Sequence, residues 1–381
     1  MRFPLRFPKS VSYRRAVTAT SALSAVVFAV AVEAQKVHQL PATPTTVAWG
    51  FYWAGAKPAL TVNSGDIVEV ETIMTNNPAG LERMGVKPED IPQWMRDLQT
   101  VPQDQRGPGG HVLTGPIYVT GADSGDVLEV RMLSIDLPIA YGYNGCSGYM
   151  REFCRPPVTD SAGRGAAPPA GAPVAGAPGA GGRGGGGGSR VIYMDRQKMT
   201  AEIAPGITVP LRPFWGSIGV APSAEKGRVN SNPPSQHAGN MDNKELVAGT
   251  TLYVPVWTKG ALLELGDGHA TQGDGEVDQT GLETNLKGRI QVIVRKDLKF
   301  DWPRIETKTH WITMGTDTSL VVATKIAIGN MVKLIQEMKG VTQIQAYQAA
   351  SMAADLRITE LVDGNLGVHM MINKEYLKAK P

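Results

Sequence analysis

The chain of 381 residues is short of several things. Aromatic residues make up only 6%, which argues against a sugar-binding platform, because such sites use aromatic walls. There are two cysteines, Cys146 and Cys154, and neither belongs to a CxxC pattern, so the sequence argues against a cysteine zinc site. No HExxH helix and no GxSxG elbow occurs, which removes the zincin and serine-elbow classes. Net charge is also scarce. The formal +3 comes from 38 basic and 35 acidic residues. The first 34 residues hold five of the basic and one of the acidic, leaving 33 against 34 in the remainder. No basic patch remains to argue for nucleic acid.

Those first 34 residues read as a signal peptide. Arg2, Arg6, Lys9, Arg14 and Arg15 precede an uncharged, largely apolar run from Ala16 to Val32, and Val32-Glu33-Ala34 offers small residues at a cleavage site. The expectation is export to the periplasm or medium, with no stable membrane insertion after cleavage. The alternative is an uncleaved anchor, for which the run is marginal in length and broken by Thr and Ser. In an oxidising compartment Cys146 and Cys154 could pair across a short loop; buried thiols are the alternative.

Glycine (44) and proline (27) are plentiful. Of residues 161–189, twelve are Gly, eight Ala and four Pro, too little apolar surface to offset the entropy of ordering. This stretch reads as a disordered insertion. Elsewhere short β-prone runs alternate with turn residues, at 111–121, 190–195, 216–221, 250–257, 260–265 and 289–295. Ser64-Gly65-Asp66-Ile67-Val68-Glu69-Val70 recurs 60 residues later as Ser124-Gly125-Asp126-Val127-Leu128-Glu129-Val130. Helical spacing comes late: Val322, Ile326, Met331, Leu334, Ile335 and Met338, closed by Gly340, then a second helix capped by Thr342. The expected fold is mostly β, a sandwich or irregular barrel with two similar β units and C-terminal helices (α+β). Its expected divisions are 1–34, 35–160, 161–189, 190–300 and 301–381.

One stretch is dense in chemistry: Gly266-Asp267-Gly268-His269-Ala270-Thr271-Gln272-Gly273-Asp274-Gly275-Glu276. It begins where an apolar run ends, so a strand delivers a glycine-rich loop with carboxylates and an imidazole at its tip. A second polar cluster is Gln236-His237-Ala238-Gly239-Asn240-Met241-Asp242-Asn243, and a third is Gly109-Gly110-His111. His269, His237, His111 and Asp267 suit a divalent metal, zinc or else calcium. Asp242, Asp267 and Glu276 suit proton transfer, and Asn240, Gln272 and Asp274 suit substrate contacts. The loop fails the EF-hand pattern, with Gln272 at its sixth and Asp278 at its twelfth position. Each Asp-Gly pair also has an ordinary reading as a turn.

These segments resemble the acetamidase/formamidase family. Thr114-Gly115-Pro116-Ile117-Tyr118-Val119-Thr120-Gly121-Ala122 with Ser124-Gly125-Asp126 resembles its TGP-x-x-V-x-GA-x-x-GD pattern. Gly239-Asn240-Met241-Asp242 resembles its GGNMD segment, with Ala238 at the first glycine. Residues 266–276 resemble its GDGHA-x-QGDGE motif. Gly216 to Pro222, and Ala346-Tyr347 with Ala353-Ala354-Asp355-Leu356, fit as well. The resemblance implies a mostly β fold and hydrolysis of small linear amides to acid and ammonia; the metal is inferred from residue chemistry. The leader, the 161–189 insertion and the region of Cys146 and Cys154 depart from the family. They leave room for a larger amide. A binding module of a different class, holding a structural cation, is the other reading. A homodimer is expected only because β enzymes of this size often associate.

Overall fold

A computed structural model describes residues 35–154 and 188–378. The leader 1–34 and residues 161–187 of the Gly/Ala/Pro segment lie outside the described residues. Among the described residues no helix is long and apolar enough to cross a membrane.

The architecture is mostly β, with the helices near the C-terminus. The larger sheet has nine strands, in the order Val37–Leu40, Ile67–Thr72, Leu286–Arg295, Val127–Asp136, Thr251–Pro255, Arg304–Glu306, His310–Asp317, Leu366–Asn373 and Ala354–Glu360. It draws strands from residues 35–160, 190–300 and 301–381 alike. A six-stranded sheet runs Ala238–Asn240, Phe214–Gly219, Leu263–His269, Val112–Thr120 and Val47–Trp49, with Leu60–Asn63 also paired to Val112–Thr120. Both sheets are open, so the barrel alternative is not what forms. A four-stranded sheet joins Ile207–Pro210, Thr200–Ala204, Arg190–Asp195 and Tyr141–Asn144.

The internal repeat has a structural meaning. Its two copies flank one strand, Leu286–Arg295, on opposite edges. Val68 pairs with Ile290 on one side and Val130 with Val292 on the other. Each copy opens with the same turn: Asp66 accepts from the N–H of Asn63, and Asp126 from that of Asp123. A short aspartate side chain closing a turn on nearby backbone explains why Gly-Asp starts both strands.

Burial alternates along these strands as expected of half-covered sheets. In Leu286–Arg295 the buried positions include Leu286, Ile290 and Val292. They join Val68, Val130, Trp215, Leu263 and Leu265 in one apolar cluster that draws on both large sheets. Trp215 is fully buried and donates from Nε1 to Thr72 Oγ1 at 3.1 Å, which satisfies its one polar atom while fastening the smaller sheet to the larger.

Leu320–Lys339 and Gln343–Ala353 are the long helices. Their apolar faces (Ala327, Met331, Ile335 and Ala346) pack with Val368, Met370 and Ile372 of the larger sheet. Gly340 ends the first helix at φ 63°, a conformation glycine takes at least cost. Thr342 and Gln345 form a reciprocal capping box on the second. Replacing Thr342 by Ala removes the side-chain acceptor and should cost about 1 kcal/mol. Urea unfolding should show a lower midpoint with an unchanged slope.

Candidate active site

The strand Leu263–His269 is buried along its whole length, and it carries polar residues into that interior. His269 pairs with Phe214 on one neighbour and bridges to Glu283 on the other side. Asp242 follows the short strand Ala238–Asn240, two residues past Asn240, which pairs with Ser217. Glu276 comes from the loop that leaves His269, and its neighbour Gly275 is tied to the edge strand through Thr359 O and the N–H of Leu361. Four carboxylates thereby meet one imidazole.

His269 Nε2 lies 3.0 Å from Glu283 Oε1, 3.5 Å from Asp267 Oδ2 and 3.9 Å from Glu276 Oε1. Its Nδ1 is 4.0 Å from Asp242 Oδ1. Two triads can be drawn whose ligand atoms all lie within 4.8 Å of one another: Asp242, His269 and Glu276, and Asp267, His269 and Glu283. All five residues are buried.

Second contacts orient the set. His269 Nδ1 is 2.6 Å from Gln272 Oε1, so the ring N–H donates there, and Gln272 Nε2 donates to the Asp242 carbonyl at 2.8 Å. In a neutral ring this assigns the proton to Nδ1 and leaves the Nε2 lone pair for a cation. Thr75 Oγ1 donates to Asp267 Oδ1 at 3.0 Å. His111 Nε2 stands 3.6 Å from Asp267 Oδ2, while its Nδ1 meets Ser231 Oγ at 3.2 Å. Asn240 Nδ2 donates to Asp242 Oδ2 at 2.8 Å and to Asp363 Oδ2 at 2.9 Å.

The electrostatics follow from burial. Burial pushes the carboxyls of Asp242 and Glu276 well above the ordinary range; His269 opposes in both, while Asp267 adds to the rise of Asp242 and Asp242 to that of Glu276. Burial also raises Glu283, with His269 opposing. Asp267 goes the other way: burial would raise it, but the imidazoles of His111 and His269 outweigh that and hold it well below the usual carboxylate range. For His269 burial alone would lower the pKa; Glu283 and Asp267 reverse the sign and keep the ring charged well above its ordinary value. Without a cation, then, protons must neutralise the cluster.

The donor set fits a divalent metal. Asp242 Oδ1, His269 Nε2, Glu276 Oε2 and Glu283 Oε2 are buried without a hydrogen-bond partner. His269 Nε2 and Glu283 Oε1 stand 3.0 Å apart as an ion-pair contact. Unpartnered buried polar atoms are costly and rare unless something else satisfies them. Backbone strain concentrates here too, with φ at 48° in Asp242, 55° in Asp267 and 41° in Glu276, none of them glycine. Gly216 clears the middle of the cluster: a Cβ there would sit 2.3 Å from Asp242 Oδ1, 3.0 Å from Asp267 Oδ2 and 3.1 Å from His269 Cε1.

Of the residues singled out from sequence, Asp242, Asp267, His269 and Glu276 converge, with His111, Gln272 and Asn240 one contact behind. His237 is not in either triad. Its ring meets Tyr52 edge-on at 5.0 Å with Nε2 unpartnered, and burial lowers its pKa to about 4. Asp274 is exposed and ion-paired with Lys244 at 3.0 Å and Arg357 at 3.8 Å. Outside the sequence candidates, Ser217 Oγ shares a hydrogen bond with Tyr52 Oη at 3.0 Å. Glu283, Thr75 and Asp363 were not read from the sequence. Counting back along the strand that returns from the glycine-rich loop would have found Glu283, which bridges to His269. Two surface clefts, of about 370 and 460 Å³, contain none of the converging residues.

A model of the acetamidase/formamidase family matches residues 224–375, which include Asp242, Asp267, His269, Glu276 and Glu283. The chain is similar to an acetamidase of Mycolicibacterium smegmatis, at 28% identity over 203 residues, 45% of this chain and 50% of that one. It is also similar to a formamidase of Methylophilus methylotrophus, at 47% identity over 49 residues, 13% and 12% of the two chains. The aligned region thus spans at most half the length of these curated relatives. Among solved structures, one described as a predicted acetamidase/formamidase from Thermoanaerobacter tengcongensis superposes with TM-score 0.70 at 25% identity, covering 90% of this chain and 97% of that one. An acetamidase from Yersinia enterocolitica gives TM-score 0.70 at 26% identity, covering 92% and 95%.

Two outcomes follow. Gly216→Ala should abolish tight binding of a divalent cation while the protein still folds, read by chelator competition and circular dichroism. His237 stays neutral in the fold down to about pH 4, whereas unfolded it binds a proton near 6.5. Between these values the unfolded state holds the extra proton, so His237 makes stability fall as pH is lowered through that window. In His237→Gln the pH dependence of the urea midpoint there should be shallower by one proton.

Proposed function

We propose that this chain, which belongs to the acetamidase/formamidase family, hydrolyses the C–N bond of small linear amides to a carboxylic acid and ammonia, with a divalent cation, zinc on this donor set, held by the buried cluster. The observation that carries this is the convergence of Asp242, Asp267, Glu276 and Glu283 on His269, with four unpartnered atoms turned inward. His269 together with Asp242 and Glu276, or with Asp267 and Glu283, would hold the ion. A nitrogen donor among carboxylates favours zinc over calcium, which prefers oxygen alone. Bound there, such an ion lowers the pKa of water and polarises a carbonyl.

The chain's own residues supply the rest. In the reaction a water oxygen bonds to the amide carbon, the C–N bond breaks, and the water proton ends on the departing nitrogen. Glu276 is the group assigned to carry that proton: its buried Oε2 has no partner, and burial raises the carboxyl's affinity for a proton. Asp267 stays ionised beside His111 and receives the Thr75 hydroxyl, which fixes its orientation. Gln272 fixes the His269 ring and, through the Asp242 carbonyl, the neighbouring backbone. The partly exposed Thr75, Gln272 and Asp363 mark the side on which substrate would arrive. Export is part of the same reading, supported by the leader pattern and by a disulfide between Cys146 and Cys154.

The test is ammonia release from formamide, acetamide and propionamide, before and after chelation and zinc add-back. Release should vanish on chelation and return with the ion. Glu276→Gln should lower kcat by about 10²- to 10⁴-fold with KM little changed. Cation binding with no turnover of any amide, larger ones included, would instead favour a structural cation in a binding module.

A further inference from the structure

One departure from the family pattern, the region of Cys146 and Cys154, packs on the loop that joins two of the site's carboxylates. Asn144 to Tyr149 lie along the loop 277–281 that joins Glu276 to Glu283. Asn144 Nδ2 donates to Thr280 Oγ1 at 2.9 Å and to Asp278 Oδ2 at 3.0 Å. The N–H of Gly145 donates to Thr280 Oγ1 at 2.8 Å, that of Ser147 to the Asp278 carbonyl at 3.2 Å, and that of Tyr149 to the Val277 carbonyl at 2.9 Å. The approach is close: a Cβ on Gly148 would stand 2.5 Å from the Val277 carbonyl oxygen. The Cys146–Cys154 disulfide, with a sequence separation of 8, closes this segment on itself.

From that segment a chain of hydrogen bonds runs to the cluster. Ser147 Oγ donates to Gln279 Oε1 at 3.2 Å. Gln279 Nε2 donates to Asp363 Oδ1 at 3.3 Å. Asn240 Nδ2 reaches the other oxygen of Asp363 at 2.9 Å and Asp242 Oδ2 at 2.8 Å. The remaining oxygen of Asp242 is the unpartnered one. Gln279 is held at φ 76°, in the left-handed region that a non-glycine residue rarely takes, with its N–H on the Glu276 carbonyl at 2.8 Å. Its amide faces both ways, the oxygen accepting from the disulfide-closed segment and the NH2 donating toward the site.

We infer that Gln279 is a positioning residue, and that the disulfide-closed segment 146–154 acts through it, by way of Asp363 and Asn240, to set the orientation of Asp242. This rests on the cation site proposed above. The carboxylate of Asp242 is aimed by partners beyond the ligands, as outer contacts of a metal site commonly do, and the outermost of those contacts comes from Ser147 in the disulfide-closed segment. The disulfide keeps Ser147 at its post by limiting the conformations open to residues 146–154.

The test is zinc affinity of the purified full chain by chelator competition, with thermal unfolding as a check on folding. Gln279→Met keeps the bulk and removes both hydrogen bonds. It should bind zinc about tenfold more weakly than wild type, with a similar loss in Gln279→Ala. Ser147→Ala should weaken binding in the same direction by less. In a Cys146→Ser, Cys154→Ser background, Gln279→Met should add less than it does alone, since both act through one chain of contacts. Should the double cysteine variant fail to fold, Ser147→Ala supplies the same cycle. Wild-type zinc affinity in a folded Gln279→Met, or full additivity in the cycle, overturns the inference and leaves the cation site standing. A wild-type chain that binds no zinc removes both.

Discussion

Burying charge is the constraint on which the rest of this structure depends. Four carboxylates and one imidazole are enclosed where two sheets and a returning loop meet, and such a group of like charges cannot sit in a low-dielectric interior uncompensated. The fold contains it by assigning opposite tendencies to neighbours. Asp267 is held ionised by His111 and His269, while burial drives Asp242, Glu276 and Glu283 toward their protonated forms. On the proposed reading a divalent cation would replace those protons and satisfy the atoms left without partners.

The surrounding architecture is arranged to hold this. Trp215 and Thr72 join the smaller sheet to the larger just beside Gly216, the position kept free of a side chain. The strand Leu263–His269 is buried end to end, so His269 cannot swing out. The loop after it is pinned twice, at Gly275 by the edge strand Ala354–Glu360 and at residues 277–281 by residues 144–149. Three ligand candidates nevertheless keep left-handed backbone, the kind of strain that persists where surrounding packing over-determines it.

Much of this was legible in the sequence, unevenly. Periodicity and turn chemistry located Val112–Thr120, Arg190–Asp195 and the helix closed by Gly340, because local rules govern such elements. The crowding of Asp267, His269 and Glu276 in one glycine-rich loop was visible because they are close in sequence. Glu283 was not, because what brings it to His269 is strand pairing across the loop. Asp363 reaches the site from a turn more than a hundred residues after Asn240, which no local pattern reports. His237 looked like a ligand because it stands near Asn240 and Asp242, yet the left-handed backbone at Ala238 and Gly239 intervenes and its ring lies against Tyr52. Asp274 shares the motif but faces Lys244.

The central claim is that the buried cluster is a cation site. Metal content per chain, measured by elemental analysis on protein purified without chelator and compared with His269→Ala, tests it most directly. The account predicts a divalent ion in the wild-type chain at stoichiometric level and its loss in the variant, with ammonia release lost alongside. A wild-type chain that turns over amide fully without stoichiometric metal, or a variant that retains the ion, would contradict it.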